Sequence, residues 1–227
     1  MTDISTIRHD SIFTARKYDS EVTIIGAGAI GSRLWLALVE LGVTEITTYD
    51  FDVIEPHNLA NQIYMYDDIG QTKLDGLARY YTQKTGSPIP DDMVFKNERV
   101  TAGSEFIAST VVFLAVDTME ARKEIAEYQL EGNPRIEKVI DLRMASSHGD
   151  VISFDPNNRD EYKRWKDTLF SDEDGEVSPC GGSISVSPTA SVLTNLAVWQ
   201  YILHHTDPIA VDPKINIHLK PLILSAA

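Results

Sequence analysis

A glycine-rich turn between an apolar run and a helical pattern most constrains the fold of this chain. The sequence VTIIGAGAIGS begins at Val22 and contains Gly26, Gly28 and Gly31. In a strand–turn–helix context, the first glycine permits a tight turn and the second lets a phosphate approach the backbone. The third lets the helix pack closely on the strand. The pattern therefore predicts a nucleotide-binding turn, with a tight turn that binds no ligand as the alternative.

Apolar runs alternate with helical patterns over the first two-thirds of the chain. Such alternation is typical of a parallel sheet flanked by helices. We therefore predict an α/β, Rossmann-like fold, with a mostly parallel sheet between helices and a C-terminal helix and strand extension. The predicted strands are 21–25, 45–50, 93–100, 111–116, 138–142, 150–154 and 214–220, and the predicted helices are 30–41, 74–85, 119–130 and 188–204.

A length of 227 residues fits one large domain. We divide it into an N-terminal arm over 1–19, either loose or a short helix, a nucleotide-binding core over 20–150, and a C-terminal part over 151–227. A crossover loop around 171–183 precedes the last helix and strand. The chain has no apolar run long enough to span a bilayer and no signal-peptide core, so we expect a cytoplasmic protein.

Charge and cysteine content exclude several function classes. The formal net charge of −14 opposes binding to nucleic acid or to an anionic membrane. An acidic surface would suit a basic partner, although solubility alone is the simpler explanation. Cys180 is the one cysteine, which rules out an intrachain disulfide and a multi-cysteine zinc site. The histidines show no paired-ligand spacing, so no protein-held transition metal is expected.

The predicted second strand ends in two carboxylates, Asp50 and Asp52. A carboxylate at the place of Asp50 can accept hydrogen bonds from ribose hydroxyls. The same arrangement serves nicotinamide-dependent oxidoreductases, so Asp50 alone does not discriminate between nucleotide chemistries. Asp52 is either a second functional carboxylate or a loop cap.

Two polar stretches, HNLANQ and GQTK, distinguish between these chemistries. Asn58 and Gln62 offer neutral hydrogen-bond donors, and Lys73 brings a positive charge to phosphate oxygens as pyrophosphate leaves. Hydride transfer has no need of this set, whereas a triphosphate site does. The alternative for Lys73 is a solvated side chain at the start of a helix.

Asp117 directly follows the buried strand predicted over 111–116. In this topology, that strand end faces the ligand crevice. The carboxylate can hold Mg²⁺ beside the phosphates, or it can cap the following helix.

Taken in order, GAGAIGS, YDFD, HNLANQ, DIGQTK and LAVDTMEAR resemble the motifs of the ThiF/MoeB/HesA-type adenylyltransferases. These enzymes share their catalytic domain with the E1-like, ubiquitin-activating enzymes. The resemblance covers residues 20–145 and, more faintly, the helix after Cys180. It implies a Rossmann-like ATP-binding domain, usually homodimeric, that uses Mg-ATP to adenylate a C-terminal carboxylate. The partner would be a peptide, or a ubiquitin-like or sulfur-carrier protein, with a free C-terminal tail.

The resemblance also implies residue roles. The glycines would face the ATP phosphates, Asp50 would hold the ribose, and Asp117 would hold Mg²⁺. Cys180 lies where many members carry a loop cysteine that takes the activated carboxylate as a thioester or enters sulfur transfer, but an unreactive cysteine is equally open. The implied catalytic residues are Lys73, Asp117 and Cys180, and the implied ATP-binding residues are Gly26, Gly28, Gly31, Asp50, Asp52, Asn58, Gln62 and Lys73.

The chain departs from the family pattern in three ways. Asn61 stands where the motif commonly has arginine, and Arg33, Arg8 or Arg16 are candidate replacements. The paired CxxC zinc motifs are absent. A chain of 227 residues also has no room for the separate cysteine and ubiquitin-fold domains of large E1 enzymes. These features suggest a minimal member. A degenerate nucleotide-binding or dimerising scaffold is the second interpretation, and an NAD-dependent oxidoreductase is the third.

Overall fold

The computed structural model describes residues 4–18, 21–172 and 185–226. Eight strands form one sheet in the spatial order β3-β2-β1-β4-β5-β6-β7-β8. The first five strands in sequence are parallel, and the last three pair antiparallel. The strands are β1 (Val22–Ile25), β2 (Ile46–Tyr49), β3 (Val94–Lys96), β4 (Val111–Leu114), β5 (Lys138–Met144), β6 (His148–Phe154), β7 (Lys214–Leu219) and β8 (Leu222–Ala226).

Helices cover both faces of the sheet. They are α1 (Gly31–Glu40), α2 (Lys73–Thr85), α3 (Met119–Ile125), α4 (Arg159–Lys166) and α5 (Ser187–Thr206). Apolar side chains of α1, α2 and α5 share one buried cluster with Ile24 and Phe113. Those of α3 and α4 share a second cluster with Ile25 and Leu114. Because successive side chains of a strand point to opposite faces, β1 and β4 each contribute to both clusters.

The strand order creates a crevice beside β1. From β1 the chain proceeds to β2 and β3 on one side, and it returns as β4 on the other side. Ile25 lies opposite both Tyr49 and Leu114, so the carboxyl ends of three strands meet at one edge. Such a switch point is where open α/β sheets bind ligands. The predicted Rossmann-like architecture is confirmed.

The structure corrects several predicted elements. The helix predicted over 119–130 ends at 125 and continues as a π-helical turn, Ala126–Leu130. The strand predicted over 93–100 keeps only three residues, Val94–Lys96. Helix α4 was not predicted, because its residues are mostly charged and only Tyr162 and Trp165 are buried. The strand predicted over 214–220 is not the last, since β8 follows it with every residue exposed. An element with no buried face leaves no periodic signal in the sequence.

No helix among the described residues combines the length and the apolar character needed to cross a bilayer.

The N-terminal segment packs on the end of α5 and is not a loose arm over residues 4–18. A 3₁₀ turn forms at Ala15–Lys17, and Phe13 is fully buried. His205 of α5 lies among aromatic rings, with ring centroids 5.4 Å from Tyr18 and 4.8 Å from Tyr201. Its Nε2 atom is buried and finds no hydrogen-bond partner in the described part of the chain. The histidine therefore belongs to an aromatic core.

Acidification is expected to weaken this packing. Burial, together with the neighbouring His204, lowers the pKa of His205 to about 4. An unfolded histidine has a pKa of about 6.5. Below that pH the unfolded chain binds the proton and the folded chain does not, so the free energy of unfolding decreases as the pH falls from about 6.5 to about 4.

Urea unfolding at a series of pH values checks this expectation. His205→Gln should flatten the pH dependence between about pH 6.5 and pH 5, relative to the unmodified protein. The exposed His218 on β7 supplies the matched control, since His218→Gln should leave the dependence in place. Equal slopes for His205→Gln and the unmodified protein would contradict the prediction.

Candidate functional site

The three predicted glycines differ in what the fold requires of them. Gly26 has a φ of 98°, and a Cβ atom on it would lie 2.6 Å from the Ala115 carbonyl oxygen. A Cβ on Gly31 would lie 1.7 Å from the Gly26 carbonyl oxygen, so neither position accepts a side chain. A Cβ on Gly28 would meet no heavy atom of the described residues within 4 Å. Packing therefore does not explain Gly28, and its backbone stays open to an approaching ligand.

Asp50 connects the end of β2 to the glycine turn. Its Oδ2 accepts a hydrogen bond from the Ala27 N–H at 2.6 Å, and its Oδ1 accepts one from the Asp52 N–H at 2.8 Å. Burial raises the pKa of Asp50, and the Lys73 ammonium and these N–H donors offset that rise only in part. The carboxylate is thus buried at the sheet edge where β1 and β2 end.

Sequence reasoning missed Tyr64, which holds the same turn from the other side. Its hydroxyl donates to the Ala27 carbonyl at 2.7 Å. Burial raises the pKa of Tyr64 well above its ordinary value, which keeps the hydroxyl protonated as a donor. Both backbone groups of Ala27 are therefore fixed by side chains. No local pattern marks this tyrosine, because its partner lies 37 positions away in the chain.

Lys73 is buried at the first position of α2, so the alternative of a solvated lysine is wrong. Its side chain is 7% exposed, and its Nζ lies 2.5 Å from Asp52 Oδ2 and 3.6 Å from Asp50 Oδ2. The Lys73 N–H also donates to the Asp52 carbonyl at 3.0 Å, and Thr72 caps α2 by accepting from the Asp75 N–H. The structure therefore brings Asp50, Asp52 and Lys73 together beside the glycine turn.

The HNLANQ stretch forms a 3₁₀ turn, Pro56–Ala60, close to this cluster in sequence. Asn58 is buried, and its Oδ1 accepts from the Glu55 N–H at 2.8 Å, so it caps the turn. The Oε1 atom of Gln62 is also buried, but no partner for it is found in the described ranges. Asn58 thus has a demonstrated role in the fold. The unpartnered Gln62 Oε1 is an acceptor, so only the amide N–H groups of Gln62 can donate to a phosphate oxygen.

Asp117 lies just beyond β4, on the turn that touches Gly26 through Ala115. The alternative that it caps α3 is wrong. Thr118 is the cap and accepts from the Ala121 N–H at 3.2 Å, while Asp172 accepts from the Met119 N–H at 2.5 Å. Asp117 itself is exposed, and no hydrogen bond or ion pair joins it to the rest of the described structure. Its carboxylate is therefore exposed and unengaged by the described residues.

The turn that carries Asp117 is linked to a buried carboxylate, Asp141, that sequence reasoning missed. Asp141 on β5 is fully buried and pairs with Arg122 Nε at 3.0 Å and Arg143 Nε at 2.7 Å. Trp165 Nε1 donates to it at 2.9 Å. Burial alone would raise the pKa of Asp141, but both guanidinium groups and the indole donor bring it below its ordinary value. Arg122 also donates to the Thr118 carbonyl at 3.1 Å, next to Asp117.

The structure thus brings together most of the predicted site residues. Asp50, Asp52 and Lys73 form one cluster at the glycine turn, and Asp117 lies on the neighbouring strand end. Cys180 lies outside the described residues, and its role stays a prediction. Within the ranges that the structure describes, no group of three or more histidine, cysteine, aspartate or glutamate side chains is arranged to hold a metal ion.

A mostly parallel sheet with this strand order and a glycine turn at its switch point defines a doubly wound α/β protein. The chain belongs to the ThiF family, whose model matches residues 5–216. The resemblance that the motifs indicate is therefore confirmed.

Two curated relatives are E1 enzymes. The SAMP-activating enzyme E1 of Haloferax volcanii is 35% identical over 66 residues, which are 29% of this chain and 24% of the relative. The catalytic subunit of the NEDD8-activating enzyme E1 of Arabidopsis thaliana is 25% identical over 128 residues, covering 52% of this chain and 28% of that protein. The matched region thus spans about a quarter of each relative's length.

Solved structures show the same fold. Escherichia coli MccB superimposes with a TM-score of 0.71 at 15% identity, covering 94% of this chain and 63% of MccB. PaaA superimposes with a TM-score of 0.68 at 19% identity, covering 92% of this chain and 63% of PaaA. MccB has been solved with ATP, and that structure matches with a TM-score of 0.66 at 14% identity over 92% of this chain and 63% of MccB. The chain covers less than two-thirds of either neighbour.

Proposed function

We propose that this chain uses Mg-ATP to adenylate the C-terminal carboxylate of a peptide, or of a ubiquitin-like or sulfur-carrier protein. The observation that carries the proposal is the buried Lys73, held between Asp50 and Asp52 beside the glycine turn of a ThiF-family fold. Relatives that activate SAMP and NEDD8, and MccB structures with ATP or with the peptide MccA, support this substrate class.

In the proposed reaction, a carboxylate oxygen of the tail attacks the α-phosphorus of ATP. The bond from the α-phosphorus to the bridging oxygen breaks, and pyrophosphate leaves with the electron pair. The products are an acyl-adenylate and pyrophosphate. Because charge develops on the leaving group, the protein accelerates such a step mainly by fixed donors and cations.

The buried carboxylate of Asp50 suits the ribose. It already accepts two backbone hydrogen bonds, and a carboxylate has about four lone-pair sites, so acceptor capacity remains for ribose hydroxyls. Gly28 leaves the backbone open for phosphates to approach the start of α1. The nucleotide would then extend from Asp50 over the glycine turn.

Lys73 and Asp117 would act on the phosphates from neighbouring strand ends. The Lys73 ammonium has three donors, so it can meet a phosphate oxygen while Asp52 orients it. Asn58 and Gln62 are proposed as further phosphate contacts. Asp117 has the oxygen ligand that Mg²⁺ prefers, and the bound ion would supply charge neutralisation on the departing pyrophosphate.

Pyrophosphate exchange tests the proposal. Candidate tails, including tails that end in Gly-Gly, are incubated with the protein, Mg-ATP and labelled pyrophosphate. Label is expected to enter ATP only with a tail that has a free carboxylate, because that oxygen is the nucleophile.

The same tail with a C-terminal carboxamide is the matched control and should give background exchange. Equal exchange with the amide would contradict the mechanism. Tight Mg-ATP binding without exchange for any tail would favour the scaffold interpretation, and preferential binding of NAD would favour the oxidoreductase.

Two finer proposals concern assembly and transfer. We propose that the chain forms a homodimer, which light scattering coupled to size-exclusion chromatography would measure. We also propose that the Cys180 thiolate attacks the carbonyl carbon of the acyl-adenylate, which forms a thioester and releases AMP. A thioester would be detected by mass spectrometry as a thiol-sensitive adduct that Cys180→Ser abolishes.

A further inference from the structure

The charge of the nucleotide cluster leaves an electrostatic problem for a polyanion. Lys73 contacts two carboxylates, Asp50 and Asp52, so these three side chains together carry a net negative charge. A nucleoside triphosphate remains an anion even with one Mg²⁺ bound. Because interactions are strong at partly buried sites, repulsion from this cluster would oppose binding of the outer phosphates. Another cation near the glycine turn would offset this repulsion.

Arg33 lies in the first turn of α1, directly after the glycine turn. The Ser32 N–H donates to the Gly28 carbonyl at 3.0 Å, so this helix turn starts at the proposed phosphate position. Arg33 Nη2 donates to Ser187 Oγ at 2.7 Å, which holds the guanidinium across to the start of α5. Its Nε atom is buried, and the described residues offer it no acceptor. A buried charged donor without an acceptor is destabilising unless a ligand supplies one.

Asn61 reaches the same short segment from the other side. Its Nδ2 donates to the Ser185 carbonyl at 3.5 Å, and its Oδ1 is buried without a partner in the described part of the chain. Arg33 and Asn61 therefore converge on residues 185–187, one as a cation and the other as a neutral amide. Of these two side chains, Arg33 is the one that carries a positive charge.

We infer that Arg33 contacts the outer phosphates of ATP and neutralises the charge on the leaving pyrophosphate. Ser187 acts as a positioning residue because it accepts a hydrogen bond from the Arg33 guanidinium. Asn61 positions the segment 185–187 by donating to the Ser185 carbonyl. Arg33 donates hydrogen bonds and transfers no proton, since a guanidinium stays charged in proteins. This inference rests on the proposed adenylation site and adds the residue that distinguishes a triphosphate from a monophosphate.

The test compares ATP with AMP, because only ATP has outer phosphates. With Mg²⁺ present, Arg33→Gln is expected to weaken ATP binding roughly 10- to 100-fold in calorimetry, while AMP affinity stays within about twofold. Where exchange is measurable, its rate should fall roughly 100-fold. Arg33→Gln combined with Asn61→Arg should recover much of the ATP affinity, since the second change returns a guanidinium beside the same segment.

Arg164→Gln is the matched control, because Arg164 is exposed on α4 and has no part in the proposed site; both affinities should be unchanged. Ser187→Ala gives a second measurement, because it keeps the guanidinium and removes its acceptor. It should lower ATP affinity by a smaller factor than Arg33→Gln does, and it should leave AMP affinity unchanged. Should Arg33→Gln fail to fold, the Ser187→Ala ratio of ATP to AMP affinity decides: an unchanged ratio overturns the inference.

The outcomes separate this inference from the proposed function. Equal losses of ATP and AMP affinity, or none, would overturn the role of Arg33 even if exchange is observed. If the unmodified protein binds Mg-ATP but exchanges with no tail, the proposed function fails, and the ATP-to-AMP ratio still tests Arg33. If it binds no ATP, both proposals are overturned.

Discussion

Replacing Lys73 with alanine is expected to lower the rate of pyrophosphate exchange by roughly 100- to 1,000-fold. The substitution removes the ammonium that we propose as a phosphate contact. It also leaves Asp50 and Asp52 without their counter-charge, so two carboxylates then oppose the nucleotide. Both effects act in the same direction on the transition state, in which negative charge moves toward pyrophosphate.

The measurement is exchange under saturating Mg-ATP and tail, with circular dichroism to show that the variant is folded. Lys163→Ala is the matched control, because Lys163 is exposed on α4 and its side chain has no described hydrogen bond or ion pair. Its exchange rate should equal that of the unmodified protein. A folded Lys73→Ala variant that retains exchange within about fivefold would contradict a role for Lys73 in the reaction.

This prediction depends on a part of the site that the sequence already indicated. The apolar runs place β1, β2 and β4 in a parallel sheet, and parallel strands bring their carboxyl ends to one edge. Residues that directly follow those strands, such as Asp50 and Asp117, must therefore lie near the glycine turn. Lys73 follows β2 more distantly, but the short turns between leave its backbone paired with Asp52. The order of motifs along the chain is therefore sufficient to predict that these residues lie near the glycine turn.

Other parts of the site depend on contacts that no local pattern records. Tyr64 meets Ala27 across 37 positions, and Arg33 meets Ser187 across 154. Trp165 lies on α4, which reads as a charged segment and was not predicted as a helix, yet it donates to Asp141. Asp141 itself interrupts an apolar run, and its partners follow only from the packing of α3 and α4. A buried polar group is predictable from sequence only when its partner is close in the chain.

The second large effect is expected on stability, when the buried Asp141 is replaced. Asp141→Asn keeps the shape of the side chain but removes the charge between Arg122 and Arg143, both of which are buried. Taking away one partner of a buried ion pair leaves an uncompensated charge, so the free energy of unfolding is expected to fall by about 3–5 kcal/mol. Urea unfolding followed by circular dichroism measures this change.

A control on the neighbouring strand makes the comparison specific to burial. Asp150 on β6 is partly exposed and lies 3.4 Å from Lys214, so Asp150→Asn should cost about 1 kcal/mol or less. Similar losses in the two variants would contradict the argument from burial.

The Asp141 network also predicts a functional consequence that stability alone does not. Arg122 joins Asp141 to the Thr118 carbonyl, so loss of the charge frees the turn that presents Asp117 at the crevice. At a temperature where Asp141→Asn is still folded, the Mg²⁺ concentration for half-maximal exchange should therefore rise, whereas Asp150→Asn should leave it unchanged. An unaltered Mg²⁺ requirement in a folded Asp141→Asn variant would limit Asp141 to a stabilising role. It would show that the position of Asp117 does not depend on this buried network.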